Sequence, residues 1–154
     1  MLDPLTVLAP VGGTVRAMSE VPDPVFAGEI VGPGLAIEPS GDGEVTAIAP
    51  VAGKIVKLHP HAYVIVADGT RGVLVHLGLD TVQLGGEGFT RHVAEGDSVA
   101  AGEVVVSWNP SKVAAGGRSP ICPVVALEGA PGAAFGLVSP GGLVSAGDPL
   151  FEWA

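Results

Sequence analysis

The side chains best suited to nucleophilic or metal chemistry in this 154-residue chain are four histidines and one cysteine. Three of the histidines, His59, His61 and His76, fall in one segment, HPHAYVIVADGTRGVLVHLGLDTV at 59–82. Within it Asp68-Gly69 separates two apolar, β-branched runs, the strongest short-range signal for a hairpin closed by a type I′ turn. A two-residue loop makes Ala67 face Thr70, so that paired positions sum to 137 and His61 stands opposite His76. Opposed residues share a face of the sheet, with Cβ atoms about 4.5–5.5 Å apart. A slip of one residue would put the two rings on opposite faces. In the expected register, Tyr63, Ile65 and Leu74 surround the pair.

Two facing imidazoles can ligate a metal, exchange a proton, or accept and stabilise a transferable group. The plain alternative is a pair of half-buried histidines satisfied by backbone groups. Register that forces the pair together, beside Gly78 and a turn at His59-Pro60, favours function. Apolar neighbours and few cations keep imidazole neutral, and the neutral ring is the nucleophile. Asp80 lies just across Gly78, placed either to orient an imidazole or to cap a turn. His59 adds a third ring through the HxH spacing, with Pro60 bending the chain between them. HxH and the His76-to-Asp80 interval are also metal-ligand spacings, so a zinc-dependent hydrolase is the rival chemistry. A purely regulatory binding module is a third reading. His92, in GEGFTRHVAEGD, reads as a solvated surface residue, and Cys122, between Pro120 and Pro123, as a small core residue.

The elements that position these groups follow from composition. Gly 24 and Pro 14 leave little room for helix, while 47% apolar and 15% charged residues argue for a packed core. Charge runs to 7 basic against 16 acidic side chains, net −9. Nucleic acids need phosphates neutralised by Lys and Arg, so a nucleic-acid partner is excluded and a basic protein partner is favoured. One cysteine rules out an internal disulfide framework and points to a reducing compartment. The opening MLDPLTVLAP lacks a signal-peptide pattern and no run could span a membrane, so the expectation is a cytoplasmic protein without membrane insertion.

Two internal duplications stand out. APVGGTVRAM at 9–18 is echoed by APVAGKIVKL at 49–58, and VAAGEVVVSW at 99–108 by VSAGDPLFEW at 144–153. Each unit is a tight Gly turn feeding a short strand. The expected fold is all-β, an antiparallel sandwich or barrel built from duplicated half-motifs with little helix. Strands are expected at 13–18, 35–38, 44–48, 53–58, 61–67, 73–77, 103–108, 122–127 and 149–153. The expected organisation is a single domain over 1–154, with a core at 8–127, a loose connector at 128–142 and a returning strand in 143–154.

LAPVGGTV, VPDPVFAGEIVGPGLAIEP at 21–39, APVAGKIV, HAYVIV, VHLGLDTVQLGGEGF at 75–89, GDSVAAGEVV at 96–105 and SPICPVV at 119–125 recur in a characteristic order. Together they resemble the glucose-type enzyme IIA of the bacterial phosphoenolpyruvate-dependent sugar phosphotransferase system, over about residues 8–127. The resemblance implies that His76 is the phosphorylated histidine and that His61 holds and releases the phosphoryl group. It also implies an apolar docking rim at Phe26, Leu74 and Val82; Asp80, Gly78 and His59, read from their positions beside the pair, are expected to support it. The phosphocarrier HPr would be the donor and the cysteine of an enzyme IIB domain the acceptor, for uptake of glucose or N-acetylglucosamine. The implied intermediate is a covalent phosphohistidine, with no cofactor and no metal; regulated metabolic enzymes are a further class of partner. Three departures stand out: His59 where enteric members carry a small hydroxyl residue, glycines at 69 and 72 rather than at Thr70, and a segment 128–154 beyond their usual end.

Overall fold

The computed structural model describes residues 3–40 and 43–154. Among these residues fourteen short strands run in chain order: β1 Leu5–Leu8, β2 Gly13–Ala17, β3 Gly34–Pro39, β4 Val45–Ile48, β5 Gly53–Leu58, β6 Ala62–Ala67 and β7 Arg71–His76. They continue as β8 Thr90–Arg91, β9 Ser98–Val99, β10 Val104–Trp108, β11 Cys122–Ala126, β12 Ala134–Gly136, β13 Leu143–Val144 and β14 Pro149–Trp153. Among the described residues helix is confined to α1 Pro24–Ala27, α2 Pro110–Ala115 and two 3-10 turns at Met18–Glu20 and Thr81–Leu84. Both helices start on a proline behind a capping side chain, Asp23 and Asn109, and run out at Gly28 and Gly116. An eight-stranded antiparallel sheet, in the order β13-β2-β3-β11-β7-β6-β5-β9, is joined by the three-stranded sheets β1-β14-β12 and β4-β10-β8. The chain is thus the antiparallel, nearly helix-free fold expected.

The duplications are built into the hydrogen bonding. Ile48 N donates to the Pro10 carbonyl and Leu8 N to that of Pro50, so the two APV units bond crosswise. Ala9 N donates to Asp148 O and Ala49 N to Glu103 O, while Gly147 and Gly102 return the bond to Ala9 and Ala49. At Gly13 a Cβ would stand 2.0 Å from Glu38 O, and at Gly53 it would stand 2.2 Å from Val66 O, so both turns admit only glycine. Residues 143–154 complete this symmetry: β13 pairs with β2, and β14 lies between β1 and β12. Part of the expected connector is itself a strand, since β12 pairs with β14 through Ala134–Trp153, Phe135–Glu152 and Gly136–Phe151. The expected strands did not include β1, nor β8 and β9, which at two residues each are too short for alternation to show.

All three sheets feed one buried cluster, with Val7, Phe151 and Trp153 from one small sheet, Ala47, Val105 and Trp108 from the other, and Val15, Ile37, Ile55, Tyr63, Ile65 and Val75 from the large sheet. A second, smaller cluster lies on the outer face of β3, β11 and β7, where Ala36, Val125 and Leu74 meet Met18, Val21, Phe26, Leu79 and Ile121. The functional side chains rise from this outer face.

The hairpin corrects one expectation. Asp68 (φ 48°) and Gly69 (φ 77°) do form the type I′ turn, closed by Thr70 N to Ala67 O at 3.1 Å. Thr70 is then an extra residue, and Ala67 pairs with Arg71 rather than with Thr70. The register is one step on, so Ala62, not His61, stands opposite His76. Tyr63 and Ile65 therefore point into the main core, and only Leu74 shares the His76 face. Neighbouring strands hold this register: β11 pairs Val124 with Val75 and Val125 with Leu74, which fixes β7 from its other side.

Candidate active site

His76 ends β7, and the segment 77–81 after it locks its imidazole. Leu77 N donates to His61 O at 2.7 Å, Leu79 N to Ser119 O at 2.9 Å, and the buried Thr81 hydroxyl to Leu77 O at 2.8 Å. Between them Gly78 takes φ +79°, where a Cβ would meet Thr81 Cγ2 at 2.8 Å and Ser119 O at 3.1 Å. That conformation turns the Gly78 carbonyl back onto His76 Nδ1, 2.5 Å away. A carbonyl oxygen only accepts, so Nδ1 carries the proton and Nε2 keeps its lone pair. Burial pushes the pKa of this imidazole below the ordinary 6.5, with the Gly78 carbonyl, then Asp23 and Asp80, pulling the other way.

His61 reaches His76 by a route the register argument missed. Leu58 pairs with Tyr63 and His59 N donates to Ala62 O at 2.8 Å, so Pro60 and His61 form the reversal between β5 and β6. The side chain of a turn residue is freed from the strand's alternation. The His61 ring sits edge-on to His76, with centroids 5.2 Å apart and planes at 73°. Burial, then the neighbouring His76 and His59, hold its pKa down to about 4. His59 is exposed, and its ring stacks on His61 with centroids 5.6 Å apart and planes at 23°.

The rest of the surround comes from α1 and the Thr81–Leu84 turn. Asp23 Oδ1 accepts from Val25 N at 2.9 Å, capping α1 and setting Phe26 against His76 with centroids 5.4 Å apart at 60°. Phe26 is almost buried and Leu74 partly so, whereas Val82 is 64% exposed. Val25 and Ile30 add exposed apolar surface beside α1. Asp80, exposed and left-handed at φ 58°, opens the Thr81–Leu84 turn without capping it through its side chain. Sequence reasoning missed Asp23 as a neighbour of His76, although Pro22-Asp23-Pro24 ahead of Phe26 is a readable helix start.

The other candidates lie apart from this cluster. His92 is exposed and bonded through Nε2 to Ser107 Oγ at 2.6 Å. Cys122 is fully buried and its thiol is pushed up to about 12, mainly by that burial, so it is no nucleophile. Among the described residues no three His, Cys, Asp or Glu side chains gather in a way that could hold a metal ion. The two rings of the HxH spacing, His59 and His61, stack on each other. Among the described residues no helix is long and apolar enough to cross a membrane.

The sequence profile of the phosphoenolpyruvate-dependent sugar phosphotransferase system EIIA 1 family matches residues 5–131. The chain is 43% identical over 122 residues to the PTS system glucose-specific EIIA component of Bacillus cereus, covering 78% of this chain and 72% of that protein. It is 42% identical over 123 residues to the component of the same name from Oceanobacillus iheyensis, covering 79% and 73%. Among solved structures it superposes on the glucose permease IIA from Mycoplasma capricolum with TM-score 0.85 and 34% identity, over 98% of this chain and 96% of that one. So long a match takes in most of residues 128–154, which therefore have a counterpart in that relative. These likenesses support neither the hydrolase nor the purely regulatory alternative. The chain belongs to the EIIA 1 family of the phosphoenolpyruvate-dependent sugar phosphotransferase system and is a phosphocarrier component of sugar uptake.

Proposed function

We propose that His76 is the residue that carries the phosphoryl group, on Nε2. The observation that carries this reading is the bond from His76 Nδ1 to the Gly78 carbonyl, which leaves Nε2 as the available lone pair of a ring that burial keeps neutral. In the forward step Nε2 attacks the phosphorus of phospho-HPr in line, the donor's P–N bond breaks and its lone pair returns to the donor imidazole. Positive charge develops on the His76 ring, and the Gly78 carbonyl with the Asp23 and Asp80 carboxylates stabilises it. Neutral His61, edge-on to the same ring, supplies an N–H donor for a phosphoryl oxygen. Transfer onward forms a P–S bond to the cysteine of an enzyme IIB domain and returns the lone pair to Nε2. The covalent relay uses no separate cofactor.

The partners follow from the surface around the ring. Val25 in α1, Ile30 just after it and Val82 in the Thr81–Leu84 turn are exposed apolar side chains near Asp23 and Asp80 in sequence, in a chain of net charge −9. A basic protein with an apolar centre fits this face, as HPr and the IIB domain of a permease for glucose or N-acetylglucosamine would. The test is incubation with phosphoenolpyruvate, enzyme I and HPr. The chain should acquire an acid-labile phosphoryl adduct that His76→Ala cannot form; label retained by that variant overturns the assignment. His61→Gln should accept the group but pass it to IIB slowly, and unchanged onward transfer would remove His61 from the mechanism.

A further inference from the structure

The His59 imidazole is a third ring beside the phosphoryl site, in a place that no step above uses. We propose that His59 is a positioning residue: it lies as a flat plate behind His61 and holds that ring edge-on to His76, so that His61 meets the phosphoryl group in one orientation. The proposal rests on His76 being the phosphoryl carrier.

The backbone around His59 is fixed on both sides. Leu58 N donates to Glu95 Oε1 at 3.0 Å, and His59 N to Ala62 O at 2.8 Å. The loop at Gly86 lies against Pro60, close enough that a Cβ on Gly86 would stand 3.2 Å from Pro60 Cγ. The Cα positions of residues 59 and 61 are therefore set, while the His61 side chain keeps its own rotations. Two rings flank that side chain, with His76 edge-on at 5.2 Å and His59 stacked at 5.6 Å and 23°. Without the His59 ring that stacking contact is lost. An imidazole that must place a single N–H on a phosphoryl oxygen then samples other rotamers, and misplacement near 1 Å is enough to slow a transfer strongly. Stacking of flat rings supplies this restraint without claiming the nitrogens of His61 for another hydrogen bond.

The experiment is phosphoryl transfer with the whole protein, measured separately for uptake from phospho-HPr and for delivery to a IIB domain. His59→Ala should take up the group within about twofold of the unaltered protein and deliver it about tenfold more slowly. His59→Phe, which keeps a flat ring but no nitrogens, should restore delivery to within about threefold. In the His61→Gln background, His59→Ala should add nothing, because its effect passes through His61. Normal delivery by His59→Ala, failure of Phe to rescue it, or full slowing in the His61→Gln background would each overturn the proposal. Failure of the unaltered protein to accept phosphoryl at all would instead overturn the reading of His76 on which it rests.

Discussion

At the scale of single residues, the site is a way of keeping two imidazoles neutral while aiming them. Burial is the first cause at both His61 and His76, so each should titrate below the ordinary 6.5, His61 near 4. Side-chain NMR across that range checks this, and a cationic His61 or His76 at neutral pH would contradict it. The sign for stability follows directly. Between pH 6.5 and about 4 the unfolded chain binds a proton at residue 61 that the folded chain refuses. Stability should therefore fall on acidification through that window, with His76 acting in the same direction, and denaturant midpoints at stepped pH measure it. Gly78→Ala places a Cβ 2.8 Å from Thr81 Cγ2 in a left-handed conformation. It should cost about 1–3 kcal/mol and loosen the Nδ1 bond, seen as a lower melting temperature and a raised exchange rate of the His76 Nδ1 proton. That His61 and His76 come together beside Gly78 was legible from residue types and spacing. Asp23 was not, because its approach to His76 is made by α1, an element of four residues with no periodicity to read.

At the scale of elements, the Asp68-Gly69 hairpin shows how far a sequence rule reaches. The turn type follows from the two residues, but the register does not, since Thr70 is accommodated as an extra residue and β7 answers to β11 on its other side. The two histidines still meet, because His61 belongs to the β5–β6 reversal, where pleat alternation no longer decides direction. The correct pairing was thus reached from the wrong register, and Tyr63 and Ile65 betray the error by lying in the main core. Deleting Thr70 should leave a two-residue I′ loop with Ala67 still facing Arg71, a change in stability within about 1 kcal/mol and an unaltered His61–His76 contact. Chemical denaturation and NMR read both; collapse of the hairpin would show that Thr70 is required by the strands rather than tolerated by the turn.

At the scale of the whole molecule, duplication makes the chain's last strand as necessary as its first. β14 lies between β1 and β12 and buries Leu150, Phe151 and Trp153. Arg71, at the hairpin tip, bonds the Trp153 and Asp3 carbonyls, tying the active hairpin to both ends of the described chain. Phe151→Ala should cost about 3–5 kcal/mol in equilibrium unfolding, and a cost below 1 kcal/mol would make β14 an accessory. The repeat at 144–153 made this strand readable, whereas β12 was hidden in a stretch of glycine and alanine. On the proposed reading, the framework presents the Nε2 lone pair of His76 to a partner protein. The most direct test is NMR of the chain, isotope-labelled in its histidines and phosphorylated through HPr. The account predicts one phosphoryl group, bonded to Nε2 of His76, with Nδ1 still protonated toward Gly78. A phosphoryl group on Nδ1 of His76, or on His61 or His59, would contradict it.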